Sequence, residues 1–199
     1  SVATEIEQAF AKAGHAVVSN SKNHRMDADV PLLVPEINPD HLKLAPIQRS
    51  ARGWKGLIVT NPNCSTVVLT MGLGPLKPFG ISRVVVTTMQ AISGAGYPGV
   101  PSMDIVGNVI PFIGGEEEKM QQETQKILGD FDGGRVRDLD ARVSAHCNRV
   151  PVVDGHTVTV SVEFSSKPSE ADLLNAFQSF SSVPQERKLP SAPASPVMY

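Results

Sequence analysis

The chain has 199 residues, 41% of them hydrophobic and 19% charged, which is enough length and apolar content for a buried core. A formal charge of -2 gives no basic footprint for nucleic acid or an acidic membrane surface, and no apolar run approaches the roughly 20 residues of a membrane span. Cys64 and Cys147 stand far apart outside any C-x-x-C, and His15, His24, His41, His146 and His156 do not fall at zinc-ligand spacings with them, so the reading is no disulfide framework, no metal and a reducing cytoplasm.

Taken in chain order, Ala3 to Ala13 has helical spacing and Gly14 is a suitable C-cap. Ser1-Val2-Ala3-Thr4-Glu5 lacks the basic and apolar regions of a secretory signal. Ala16-Val17-Val18-Ser19 reads as a short buried strand, and Pro31 to Asn38 as another. Pro39-Asp40-His41 opens a helix to about Ser50. Gly56 to Thr60 is a continuous apolar run of the parallel-sheet kind, and a helix follows from Ser65 to about Leu73. Ser82 to Gln90 is a strand, Ser93 to Val100 a glycine-rich loop, and Gly115 to Leu128 a polar helix. Arg142 to Val153 and His156 to Phe164 are strands, and Ser169 with Asp172 caps a last helix to about Phe180. Alternating elements followed by antiparallel strands indicate an α/β fold with a mixed sheet. The chain lacks an initiator Met, begins inside a helix and ends in a Pro-rich stretch, Leu189 to Tyr199, so it is expected to be an internal piece of a longer protein.

Cys64 follows Asn61-Pro62-Asn63 at the turn from a buried strand into a helix. Unpaired N–H groups and the positive end of the helix dipole there stabilise a thiolate. A free cysteine is also a common small core residue, but three polar, turn-forming neighbours favour chemistry. A nucleophilic thiol needs a base, and Asp154-Gly155 between two β-rich runs signals a two-residue hairpin. That turn would pair Val153 with His156, Pro151 with Val158 and Arg149 with Val160. His156 and Arg149 would then share the side of Val158, Val160 and Val162, about 13 Å apart along the strand, joined only by a molecule between them or a long Arg side chain.

Glu116 and Lys119 share a helix face, either as a solvated pair or as a carboxylate for a substrate ammonium beside a phosphate-binding ammonium. Arg25, in Asn23-His24-Arg25-Met26, is a surface residue or a bidentate phosphate grip. Gly94-Ala95-Gly96-Tyr97-Pro98-Gly99 matches G-x-G-x-x-G, but Pro98, Val100 and Pro101 follow, so an extended loop is expected and not a dinucleotide fingerprint.

Together these segments resemble the aspartate-semialdehyde dehydrogenase family, most of all its fungal and archaeal branch. Asn61-Pro62-Asn63-Cys64-Ser65 is similar to its active-site segment, and Gln90-Ala91-Ile92-Ser93-Gly94 to its Gln-Ala-x-Ser-Gly. Asn108-Val109-Ile110-Pro111 is similar to its Asn-x-Ile-Pro, Glu116-x-x-Lys119 with Glu123-Thr124 to its substrate helix, and Arg149 with His156 to its Arg and His pair. Asn20 to Asn38 also has the family's look, and the likeness spans nearly the whole chain.

The resemblance implies Cys64 as nucleophile, His156 as acid/base and Gln90 as the residue that orients substrate. Arg149 would hold the substrate carboxylate and Glu116 its amino group. Lys119, Arg25 and Asn63 would bind phosphate, and Ser93 and Gly94 would touch the cofactor. The implied activity is NADPH-dependent reduction of aspartyl phosphate to aspartate semialdehyde with release of phosphate, a step toward lysine, threonine and methionine, in a homodimer or homotetramer. The implied organisation is a residual Rossmann-like nucleotide-binding part over residues 1–62 and a mixed-sheet catalytic and dimerisation domain over 63–199. The family's opening strand, glycine loop and helix do not precede Cys64, and its closing cofactor-contacting helix does not follow, so the piece alone is expected to bind NADPH poorly. The rivals are a related acyl reductase such as malonyl-CoA reductase, a cysteine hydrolase using Cys64 and His156, and a non-catalytic interaction domain.

Overall fold

A computed structural model describes residues 2–199. Helix α1 (Val2–Ala13) carries Glu5 in its first turn and Lys12 in its last, matching the helix dipole, and Gly14 at φ 107° ends it. Strand β1 (Ala16–Ser19) follows, then a 3-10 turn over Pro39–Lys43 and α2 (Leu44–Arg52). Strand β2 (Leu57–Thr60) pairs parallel with β1, Ala16 opposite Leu57 and Ser19 opposite Thr60. A Cβ at Gly56 would stand 2.0 Å from the His15 carbonyl oxygen, so only glycine lets the chain enter β2 this close to β1. Helix α3 (Cys64–Leu73) leaves the end of β2.

Next come β3 (Ile81–Gln90), the single helical turn α4 (Ser102–Ile105) and α5 (Glu116–Ile127). A two-residue pair, β4 (Asp130–Phe131) and β5 (Val136–Arg137), precedes β6 (Arg142–Arg149) and β7 (Thr157–Phe164). Helices α6 (Glu170–Gln178) and α7 (Val183–Glu186) close the chain. The Ser169–Asp172 capping box of α6 is formed as the sequence indicates. The sheet around β3 is mixed, with β6 parallel on one side and β7 antiparallel on the other. Helices α3 and α5 pack on one face of it around Leu69, Leu73, Val84, Val86, Met120 and Cys147, all at most 2% exposed.

Three expectations are corrected. The Asp154-Gly155 hairpin does not form, because β6 and β7 both pair with β3 and not with each other. A two-residue turn joins neighbouring strands only, whereas residues 150–156 must cross over the end of β3, about two inter-strand spacings. Backbone bonds from Val150 to Gln90, from Ile92 to Val152 and from Ser93 to Val153 hold that crossing. Pro31 to Asn38 is not a strand: Leu32 alone bridges to Thr60, and the chain then turns. Pro31 and Pro35 have no N–H for a ladder, and the Asn38 side chain takes the Val34 N–H and donates to the Leu32 carbonyl instead. Finally, β1 is not buried throughout, since Val18 is 74% exposed on the open side of a two-stranded sheet. The glycine-rich match opens no long helix; a single 3-10 turn over Ile92–Ala95 leads into a loop, as the prolines require.

Candidate active site

Cys64 is the first residue of α3 and is exposed. Its helix starts here because Asn63 caps it, the Asn63 side-chain oxygen accepting from the N–H groups of Ser65 at 3.0 Å and Thr66 at 3.4 Å. The crossing segment before β7 brings His156 over it, with Nε2 at 3.1 Å from the Cys64 Sγ. The other ring nitrogen, Nδ1, accepts the Ala91 backbone N–H at 3.1 Å. A backbone amide can only donate, so Nδ1 is bare and the neutral ring carries its proton on Nε2, aimed at the sulfur. The Cys64 sulfur is then the acceptor of that N–H.

The expected 13 Å between Arg149 and His156 is overturned with the hairpin that produced it. A Cβ on Gly94 would lie 2.9 Å from Arg149 Nη1 and 3.1 Å from His156 Cε1, so both side chains converge on this glycine. Strand register sets Arg149 opposite Gln90 on β3, and the guanidinium donates to the Ala91 carbonyl at 2.7 Å. Arg149 is 6% exposed and Gln90 1% exposed, the latter with its amide on the Thr88 hydroxyl. Ser93 is exposed and its N–H is tied to the Val153 carbonyl.

Helix α5 supplies the other side. Glu116 accepts from the Asn63 side chain at 2.7 Å and from Lys119 at 2.8 Å, so the expected Glu–Lys pair forms and is joined to the Cys64 helix cap. Arg25 is buried, donating to Glu123 at 3.0 Å and to the Asn20 carbonyl at 3.0 Å. Glu123 and Ala91 hold no role in the sequence reading. Their only signal is membership of the segments around Lys119 and Gln90, because Glu123 acts on a backbone amide far along the chain and Ala91 acts through its own backbone groups.

A cavity of about 510 Å³ opens beside the thiol, lined by Asn20, Leu33, Asn61, Pro62, Cys64 and Val67 among others. It lies beyond the carboxyl ends of the parallel strands β1 and β2, where open α/β sheets take their ligands. Another cavity, about 420 Å³, lies between Met26, Lys126 and Arg137, away from the thiol.

Residues 73–193 match the family model for the semialdehyde dehydrogenase dimerisation domain, and residues 1–45 match that for its NAD binding domain. An aspartate-semialdehyde dehydrogenase of Archaeoglobus fulgidus is 53% identical over 178 residues, covering 89% of this chain and 52% of its own length. A crystal structure of aspartate semialdehyde dehydrogenase with NADP from Candida albicans aligns with a TM-score of 0.86 at 40% identity, covering 98% of this chain and 57% of that one. A Vibrio cholerae aspartate semialdehyde dehydrogenase II complexed with ASA aligns at 0.71 and 31% identity, covering 88% of this chain and 57% of that one. The chain spans about half the length of the curated relatives it matches. With its dimerisation-domain match running from α3 to the tail, the chain belongs to the semialdehyde dehydrogenase family.

Proposed function

We propose that this chain carries the thiol chemistry of an aspartate-semialdehyde dehydrogenase, reductive dephosphorylation of L-aspartyl 4-phosphate to L-aspartate 4-semialdehyde. The observation that carries the reading is the Cys64 Sγ to His156 Nε2 contact of 3.1 Å at a capped helix start. The Cys64 thiolate attacks the acyl phosphate, the C–O bond to phosphate breaks, and a thioester remains on the sulfur. Lys119 and Asn63 meet the departing phosphate, and Arg25 joins them through its unpartnered Nε while its Nη1 stays on Glu123. Arg149 holds the substrate carboxylate and Glu116 its ammonium, and Gln90 orients the acyl group. The His156 Nε2–H holds the oxygen of the reduced thioester by a hydrogen bond, without giving up its proton, and the C–S bond then breaks to release the aldehyde and regenerate the thiolate.

The relatives imply a nicotinamide dinucleotide, NADP in the Candida albicans structure, and the cavity beside Cys64 fits one end of it, with Asn20 and Asn61 offering amides above an apolar wall of Leu33 and Val67. Such a cofactor, when bound, supplies the hydride. Ser93 and Gly94, the latter packed against Arg149 and His156, are the proposed contacts to it. The parent assembles as a homodimer or larger, with the boundary between nucleotide-binding and catalytic parts near Asn63.

Acyl transfer can be tested without the cofactor. After incubation with aspartyl phosphate, mass spectrometry of the chain should find one aspartyl adduct, on Cys64, absent from Cys64→Ala. An adduct from malonyl-CoA but not from aspartyl phosphate would replace the proposed substrate, and no adduct from either would sink the nucleophile.

A further inference from the structure

We infer that Glu123, to which the proposed reaction gives no part, is the positioning residue for the reactive thiol, and that Arg25 is its charge partner. The inference rests on Cys64 being a reactive nucleophile. Glu123 lies in the middle of α5, 3% exposed, and reaches across to the strap that carries Cys64. One carboxylate oxygen accepts the Asn63 backbone N–H at 2.6 Å, and the other accepts from Arg25 Nη1 at 3.0 Å. Asn63 is both the cap of α3 and the residue before Cys64. Its side chain is already fixed by Ser65, Thr66 and Glu116, so the bond to Glu123 fixes the remaining donor, the main-chain amide. A charge-assisted bond of this kind is among the stronger ones available to a backbone amide.

The arrangement solves an electrostatic problem. A bare carboxylate one residue from the sulfur would oppose a thiolate and weaken the helix dipole. Arg25 cancels that charge, so Glu123 supplies geometry without its field. The other charged or titratable groups around the thiol are His156 from the crossing segment, Arg149 from β6, Glu116 and Lys119 from α5, and Glu36 on the wall of the cavity beside it. They are common to every variant below and drop out of the comparison.

The two partners therefore leave opposite signatures. In the 199-residue chain, the rate of Cys64 alkylation by iodoacetamide is followed against pH, with buried Cys147 as the internal reporter of folding. Glu123→Gln should move the midpoint of the rate profile down by roughly half a pH unit, and Arg25→Gln should move it up by about as much. Glu123→Gln should also lower the plateau rate several-fold, because the amide replaces one of the two accepting oxygens with a donor that faces a donor. The double variant should return to the wild-type midpoint with the plateau still low. If a single variant fails to keep Cys147 protected, the double variant, which leaves no uncompensated charge, decides the matter through its plateau. A wild-type thiol that reacts faster than N-acetylcysteine but whose profile ignores these substitutions, or moves the same way in both, overturns the inference alone. A wild-type thiol no faster than N-acetylcysteine overturns the nucleophile reading together with it.

Discussion

The two cysteines show how much environment decides what a thiol does. Cys64 is exposed at a helix start with a proton donor on its sulfur, whereas Cys147 is fully buried on β6 against Met120, its sulfur 3.5 Å from the Met120 sulfur. Burial pushes the Cys147 thiol up to about 11 from an ordinary value of 9.0. Between these two values the unfolded chain has released a proton that the folded chain still holds. Stability from this group is therefore intact below pH 9 and falls as pH rises toward 11, by roughly 2 kcal/mol in all. Cys147→Val, close in volume, should remove the decline, so urea unfolding at pH 8 and pH 11 should show wild type losing more stability than the variant. Equal losses would mean that the buried thiol is not protonated above its usual range. At the same scale, His156→Ala should slow Cys64 acylation by aspartyl phosphate by about 10² or more, since it removes the Nε2–H that lies 3.1 Å from the sulfur. Acylation at the wild-type rate would remove His156 from the chemistry.

Elements were legible in proportion to how local their causes are. The Ser169–Asp172 box and the glycine stop at Gly14 act within a few residues, and both could be read from the chain alone, whereas Asn63 reads there as a turn residue and its cap on Ser65 and Thr66 comes from the structure. The strand from Ser82 to Gln90 was legible too, but not its partners, because β3 takes one neighbour in parallel and the other antiparallel. Asp154-Gly155 has the local chemistry of a tight turn and loses to the two ladders that β3 offers. The family resemblance pairs Arg149 with His156, but strand spacing could not show how they converge, which depends on a crossing segment and on the missing side chain of Gly94. Helix α5 presents a further case at its last turn, where Lys126 is 4% exposed and donates to the carbonyls of Arg25 and Asp27, both at 2.7 Å, and of Val30 at 3.0 Å. Burial draws this ammonium down to about 8, yet three carbonyl acceptors hold it in place. Lys126→Met keeps the stem and strands the Arg25 and Val30 carbonyls, the Asp27 carbonyl keeping the Val30 N–H, so it should cost about 2 kcal/mol or more in urea unfolding at pH 7. An unchanged midpoint would show that the cage contributes nothing to holding residues 25–30 against α5.

At the scale of the molecule, the site belongs to neither sheet alone. Cys64 leaves the parallel pair β1–β2 on α3, His156 and Arg149 come from the sheet around β3, and α5 bridges the two through Asn63 and Arg25. Residues beyond β3 carry a second demand. Between Tyr97 and Phe112 the chain exposes Tyr97, Met103, Val106, Val109 and Phe112, with Tyr97 and Met103 more than nine-tenths open to solvent. Large apolar side chains are seldom left in such numbers on one short segment unless another surface covers them. The segment lies within the stretch matched to the dimerisation domain of the family. A homodimer that buries it is therefore expected, and sedimentation should give twice the 21.2 kDa of the chain at micromolar concentration. Met103→Glu with Phe112→Glu should shift the species to a monomer while leaving Cys147 protected from alkylation. A wild-type monomer at tens of micromolar, or a double variant that still sediments as a dimer, would move the interface elsewhere. Because residues 97–112 follow directly on the Gln90–Gly94 stretch that seats Arg149 and His156, loss of the dimer should also slow Cys64 alkylation, tying assembly to the order of the site.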